Sequence, residues 1–256
     1  MKFKHLAIAA AFSVLFIYGG IFLSVFYFFD GRAMLSSLGD ERVLFTIRNS
    51  VYAATLATLL ATAIAVPAAY AISRFDFPFK SWIDLSLEFP MIISPAALGA
   101  MLLIFFQTPA GSFIREHLME FVFVFAGIVL AQFVTIIGLA TRLIKAVMDE
   151  IPLRYEQVAR TLGATHRQAF FTITLPLAKK GIASALILTW AKAVGEFGAT
   201  IMLAGSMAMK TETLPVAIFM RLSIADIKGT VGFILILFTI SISILAITRQ
   251  LFAFRR

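Results

Sequence analysis

The chain contains no cysteine, which excludes disulfides and thiolate-held metals. Histidine is nearly absent: His5, His117 and His166 are the only three in 256 residues, and they lie in three different connections or ends. That scatter argues against a shared metal or catalytic centre. Charge is scarce at 14%, against about 25% in a typical soluble domain. No Gly-x-x-x-x-Gly-Lys-Ser/Thr loop occurs, so the chain has no phosphate cradle of its own for ATP and no cofactor is expected on it. Nor is a basic patch interleaved with stacking aromatics, which sets nucleic acid aside as a partner despite a net charge of +8.

Apolar surface fills the space these absences leave. The chain is 61% hydrophobic, where soluble domains sit near 45–50%. That excess cannot be hidden in one water-soluble core and needs a lipid bilayer around it. The 27 phenylalanines are spread through the apolar runs, as lipid-facing and packing residues are. Connections are short, and no break in composition, internal repeat or low-complexity tract divides the chain. Residues 1–256 therefore read as a single, all-α transmembrane domain, with an N-terminal helix over 6–29 and a core over 49–248.

A hydrocarbon layer about 30 Å thick needs roughly 20 apolar residues of helix. Runs of that kind predict about six spans, at 6–29, 49–73, 88–107, 121–141, 181–205 and 230–248. The first is too long for the apolar region of a signal peptide, and it ends in Phe-Tyr-Phe-Phe, so it is expected to be retained. The third carries Pro90 and Pro95 and should kink or break. With six spans, fourteen Lys and Arg fall on the side of the termini and seven on the other. This bias predicts both termini in the cytoplasm of a cell-membrane protein. A re-entrant third span would scramble it.

The longest connection on the inner side is 142–180. Asp149-Glu150-Ile151-Pro152 reads as a helix start. Tyr155, Val158, Ala159 and Leu162 then recur at helical spacing, with Arg154, Glu156, Gln157, Arg160 and Thr161 on the other face. Gly163 supplies a left-handed helix end. Ala164 follows it, and Thr165 with Gln168 has the spacing of a capping box that starts a second short helix. Thr174-Leu175-Pro176 then opens the fifth span. Two readings fit such an elbow: an amphipathic loop lying on the membrane surface, or a wedge that docks in a cleft of another protein.

The residues Glu156-Gln157-Val158-Ala159-Arg160-Thr161-Leu162-Gly163, followed by Ile173-Thr174-Leu175-Pro176, resemble the Glu-Ala-Ala loop of binding-protein-dependent ABC importer permeases. Gln157, Val158 and Ala159 occupy the Glu-Ala-Ala positions, and only the last is literal. Gly163 and the Ile-x-Leu-Pro ending match at the family's distance, in the loop before the penultimate span. The resemblance implies the type I importer permease fold, and that Glu156 to Thr165 form coupling helices seated in a groove of an ATPase subunit. ATP and Mg would then be bound by that partner, and this chain would be a transport subunit, not an enzyme.

Lys192 and Glu196 fall near the middle of the expected fifth span. A charge there costs roughly 2.5–3.5 kcal/mol on insertion scales, and the four-residue spacing lets the two pair. A self-compensating ion pair and a water-filled path both account for them. Around them, Gly195-Glu196-Phe197-Gly198-Ala199-Thr200, with Thr213-Leu214-Pro215 beyond, resembles the molybdate branch of the importer family, with sulfate and thiosulfate permeases as near relatives. Gly195 and Gly198 are expected to allow close helix contact. Ser94 and Pro95 in the broken third span, with Lys192, Glu196 and Thr200, are the candidates for a pathway or gate; a kink for packing fits Pro90 and Pro95 equally well.

The resemblance implies a permease for molybdate or tungstate, or alternatively for sulfate or thiosulfate. Its partners would be a second permease copy, two ABC ATPase subunits and an extracytoplasmic substrate-binding protein. An ion-coupled secondary carrier using Lys192 and Glu196 is the alternative from another class.

Overall fold

The computed structural model describes residues 2–31 and 39–253, and among these there is no strand. Arg32, Arg255 and Arg256, three of the basic residues used for orientation, lie outside the described residues. The first helix, α1 (Lys2–Val25), ends in a 3₁₀ turn over Phe26–Phe28. The second, α2 (Glu41–Arg74), begins eight residues before the expected span because Asp40 caps it, accepting the Arg42 amide at 2.9 Å. Pro67 lies inside α2 without ending it.

The third expected span is broken in two. Helices α3 (Lys80–Ser86) and α4 (Phe89–Ile92) lead to α5 (Pro95–Phe105), and the direction changes by 110° between them. Ile93 and Ser94 are extended, as residues before and near a proline prefer, and the Ser94 hydroxyl caps α5 through the Ala97 amide. A short α6 (Pro109–His117) precedes α7 (Phe125–Asp149). Helices α8 (Arg154–Thr161) and α9 (His166–Ala169) follow, and a π turn over Phe170–Thr174 carries the chain into α10 (Leu175–Val194). The last three are α11 (Gly198–Ala204), α12 (Leu214–Ser223) and α13 (Ile227–Ala253). Among the described residues, five helices are long and apolar enough to cross a membrane, or six if the bent pair counts as one span.

The fifth expected span, 181–205, is displaced. The continuous helix runs over His166–Val194 and stops at Gly195. The apolar stretch beyond belongs to α11, a separate helix packed on α5. Lys192 and Glu196 therefore sit at a helix break and not in the middle of a span. The two glycines there differ in role. A Cβ on Gly198 would come within 2.8 Å of the Ala96 amide nitrogen and 3.1 Å of Pro95 Cβ, so α11 and α5 meet there; Gly195 faces only its own helix.

The core is a seam between α2 and α7. Ala53, Ala54, Ala57, Ala61, Ala65 and Ala69 are fully buried against a face that includes Ile128, Ile136, Ala140, Ile144 and Met148. Small residues let helix backbones approach closely where lipid gives no hydrophobic drive for association. By contrast α1 lies at the margin of the bundle: no residue in its most apolar stretch is fully buried, and Phe22 packs on Phe238 with ring centroids 4.3 Å apart.

Candidate functional site

The connection between α7 and α10 forms the expected two-helix elbow at Gly163 and Thr165, but Asp149, read as part of a helix start, is the last residue of α7, and α8 begins at Arg154 without a side-chain cap. Gly163 and Ala164 close α8 by donating to the Arg160 and Ala159 carbonyls, both at 3.0 Å, and Gly163 takes φ +95°, a backbone state glycine adopts at little cost. Thr165 and Gln168 complete the capping box in both directions, at 2.8 and 3.2 Å. Pro176 lies in the first turn of α10.

Most of α8 is exposed, its apolar residues together with its polar ones, and Glu156 is its one buried residue. Tyr155, Gln157, Val158 and Leu162 point outward, with Leu162 84% exposed. Together with Ala159, Ile173 and Pro176 the apolar ones line an open groove of about 560 Å³. A contiguous apolar patch of this kind marks an interaction surface, whether for lipid or protein. Glu156, placed by the sequence on the polar face, is instead buried, with 3% of its surface accessible.

A buried polar knot receives Glu156. Arg74, the last residue of α2, donates from Nε to Glu156 Oε1 at 2.9 Å, and both side chains are almost fully covered. The Tyr70 hydroxyl donates to Oε2 at 2.9 Å, and the Thr174 hydroxyl donates to Oε1. Burial alone would push the Glu156 carboxyl up; the bonds from Thr174, Tyr70 and Arg74, with the charge of Arg74, outweigh it and hold the group below the usual carboxylate range. The same guanidinium donates from Nη2 to the carbonyls of Met148 and Ile151, each at 2.8 Å. Nearby, Ser73 donates to Asp149, which also pairs with Lys145. Arg74, Tyr70 and Thr174 had no signal as a site in the sequence: Arg74 reads as a charge flanking a span, and its carboxylate partner is 82 residues away.

The other candidates assemble at a second place, where two helix breaks meet. Ser94 and Pro95 begin α5, Gly198 begins α11, and a Cβ on Gly99 would lie 2.7 Å from the Ala199 backbone. Glu196 is buried and accepts the Ala199 amide at 3.1 Å, which fixes the start of α11. Lys192 Nζ lies 3.5 Å from the other Glu196 oxygen, and the lysine side chain is half exposed. Thr200 is fully buried, and its hydroxyl has no partner among the described residues. A further joint, missed by the sequence, lies at the start of α2: Arg42 grips Glu212 through two 2.8 Å bonds, and Asn49 donates to the Glu212 carbonyl. His117 and His166 pack on Phe113 and Phe75 respectively.

The family described as "Binding-protein-dependent transport system inner membrane component" matches residues 57–255. A probable transport system permease protein, NifC, of Clostridium pasteurianum is 30% identical over 95% of this chain and 85% of its own length. The molybdenum transport system permease protein ModB of Haemophilus influenzae is 34% identical over 68% of this chain and 77% of its own. The sulfate transport system permease protein CysW of Synechococcus elongatus is 32% identical over 71% of this chain and 64% of its own. In three dimensions the chain is similar to a subunit of a bacterial alginate ABC transporter, crystallised with an alginate pentasaccharide-bound periplasmic protein, at a TM-score of 0.73 over 97% of this chain and 92% of that one. The identity in that comparison is 15%, so the likeness is one of fold.

Proposed function

The chain belongs to the binding-protein-dependent inner membrane permeases of ABC importers, and from that premise we propose that its cargo is an oxyanion, molybdate or tungstate. The observation that carries the importer mechanism is the elbow: α8 turns Tyr155, Val158 and Leu162 away from its own chain at the site where the family docks an ATPase. Two ATPase subunits on the cytoplasmic side would supply ATP and Mg, and a second copy of this chain would complete the pathway. A loaded binding protein would deliver cargo on the opposite face. In this orientation both termini are cytoplasmic.

No bond in the cargo is made or broken. The permease alternates between two arrangements, and ATP-bound partners that grip the elbow more tightly in one of them shift the equilibrium. Flexure is available where helices are interrupted, at Ser94 and at Gly195, while the alanine seam holds α2 to α7. Lys192, half exposed beside Glu196, is the cation this reading would offer to a passing anion.

The molybdate reading is supported by the Gly195-to-Thr200 run and by the similarity to ModB. A sulfate permease is the second reading, favoured by the similarity to CysW. The test is ATP hydrolysis by the complex reconstituted in liposomes, with its binding protein loaded in turn with molybdate, tungstate, sulfate or nothing. Stimulation by molybdate or tungstate is expected. Stimulation by sulfate alone would transfer the assignment, and failure to assemble with any ATPase would overturn the mechanism.

A further inference from the structure

Motion imposed on α8 has two covalent routes into the membrane helices. On one side lies the linker between α7 and α8, residues 150–153. On the other lies Gly163, with φ +95° and nothing within 4 Å of where a Cβ would be. Glycine can change its backbone angles there at little cost. The inner face of α8 meets the ends of α2 and α7 at the buried polar knot.

We propose that the Arg74–Glu156 pair is the coupling strut of this permease, making α8 move as one piece with the ends of α2 and α7. The inference rests on the importer reading above and goes beyond it, because it assigns transmission to residues that do not touch the partner.

The bonding pattern is that of a clamp. One guanidinium reaches three elements at once: α8 through Glu156, the end of α7 through the Met148 carbonyl, and the linker through the Ile151 carbonyl. One carboxylate accepts from α2 twice, through Arg74 and Tyr70, and from the start of α10 through Thr174. Thr174 is the last residue of the π turn, an insertion of the kind often found where a helix serves a function. Only the planar fork of arginine offers these donors in fixed directions; a lysine ammonium is a point charge and cannot hold all three acceptors in the same geometry. A buried ion pair is also a poor way to gain stability, since well-packed apolar side chains often do as well or better. At a joint that must transmit force, directional bonds supply what apolar packing does not: a fixed orientation. Tyr70 and Thr174 are positioning residues in this scheme, acting through Glu156.

The test uses the full permease, co-expressed with its ATPase, reconstituted with binding protein and cargo. Arg74→Lys keeps a positive charge, and Tyr70→Phe removes a single hydroxyl; neither leaves an unpaired buried carboxylate. The readouts are co-purification of the ATPase, melting temperature, and cargo ions imported per ATP hydrolysed. Both variants are expected to keep their ATPase. Imported ions per ATP should fall about tenfold in Arg74→Lys, the weight of one charge-assisted hydrogen bond, and less in Tyr70→Phe. If both variants melt earlier yet import the wild-type number of ions per ATP, the knot is packing and the strut is wrong. If the wild-type complex itself neither assembles nor couples ATP to import, the importer reading fails and takes the strut with it.

Discussion

At Glu196, one carboxylate oxygen accepts the Ala199 amide while the other lies 3.5 Å from Lys192. The lysine is half exposed and the carboxylate buried, so the cap is the stronger claim on this side chain and the ion pair the weaker. Glu196→Gln keeps an oxygen for the Ala199 amide and is expected to cost less than about 1 kcal/mol, the scale of an exposed pair. Glu196→Met strands a buried N–H and should cost about 1–3 kcal/mol. Thermal melting in detergent checks the difference, and equal losses in the two variants would return the weight to the ion pair. The four-residue spacing made this pair legible in the sequence. The Arg74–Glu156 pair was not, because no local periodicity links residues 74 and 156, and a carboxylate among Arg154, Gln157 and Arg160 looks like any solvated helix face.

Among the elements, the elbow was the most legible, since its stops and starts are local: Gly163 ends one helix and the Thr165–Gln168 box begins the next. Gly163→Ala meets no neighbour and pays only for a left-handed backbone, about 1–2 kcal/mol. Gly163→Pro is different in kind. Proline fixes φ near −65° and removes the N–H that bonds the Arg160 carbonyl. We expect the proline variant to lose its ATPase on purification while the bundle melts normally, and the alanine variant to retain it. An unaltered complex with proline at 163 would mean the elbow does not dock. The break after α10 was harder to see, because Ala193 to Gly205 stays largely apolar on both sides of it and hydropathy alone continues the helix. The signal was present in Gly195 and Gly198, but only Gly198 makes a close approach to another helix, while Gly195 ends its own. In the third span the prolines announced an interruption but not its 110° turn, which depends on α5 finding α11, far along the chain.

For the molecule as a whole, the bundle without α1 is the unit that holds together. The family match begins at residue 57, well after α1, and no residue in the apolar stretch of α1 is fully buried. A chain beginning at residue 39 is therefore expected to keep the melting temperature of the full protein in detergent; an early melt would show that α1 stabilises the bundle. What gives that unit its centre is the alanine seam of α2. Alanine has no rotamers to lose, whereas ordering a long side chain costs up to about 2 kcal/mol in entropy. Bringing α2 onto α7 along Ala53, Ala54, Ala57, Ala61, Ala65 and Ala69 thus freezes little on the α2 side. The longer Leu56, Leu59, Leu60 and Ile64 side chains of the same helix lie outside this seam, so the contact that centres the bundle is made by the side chains with the least freedom to lose.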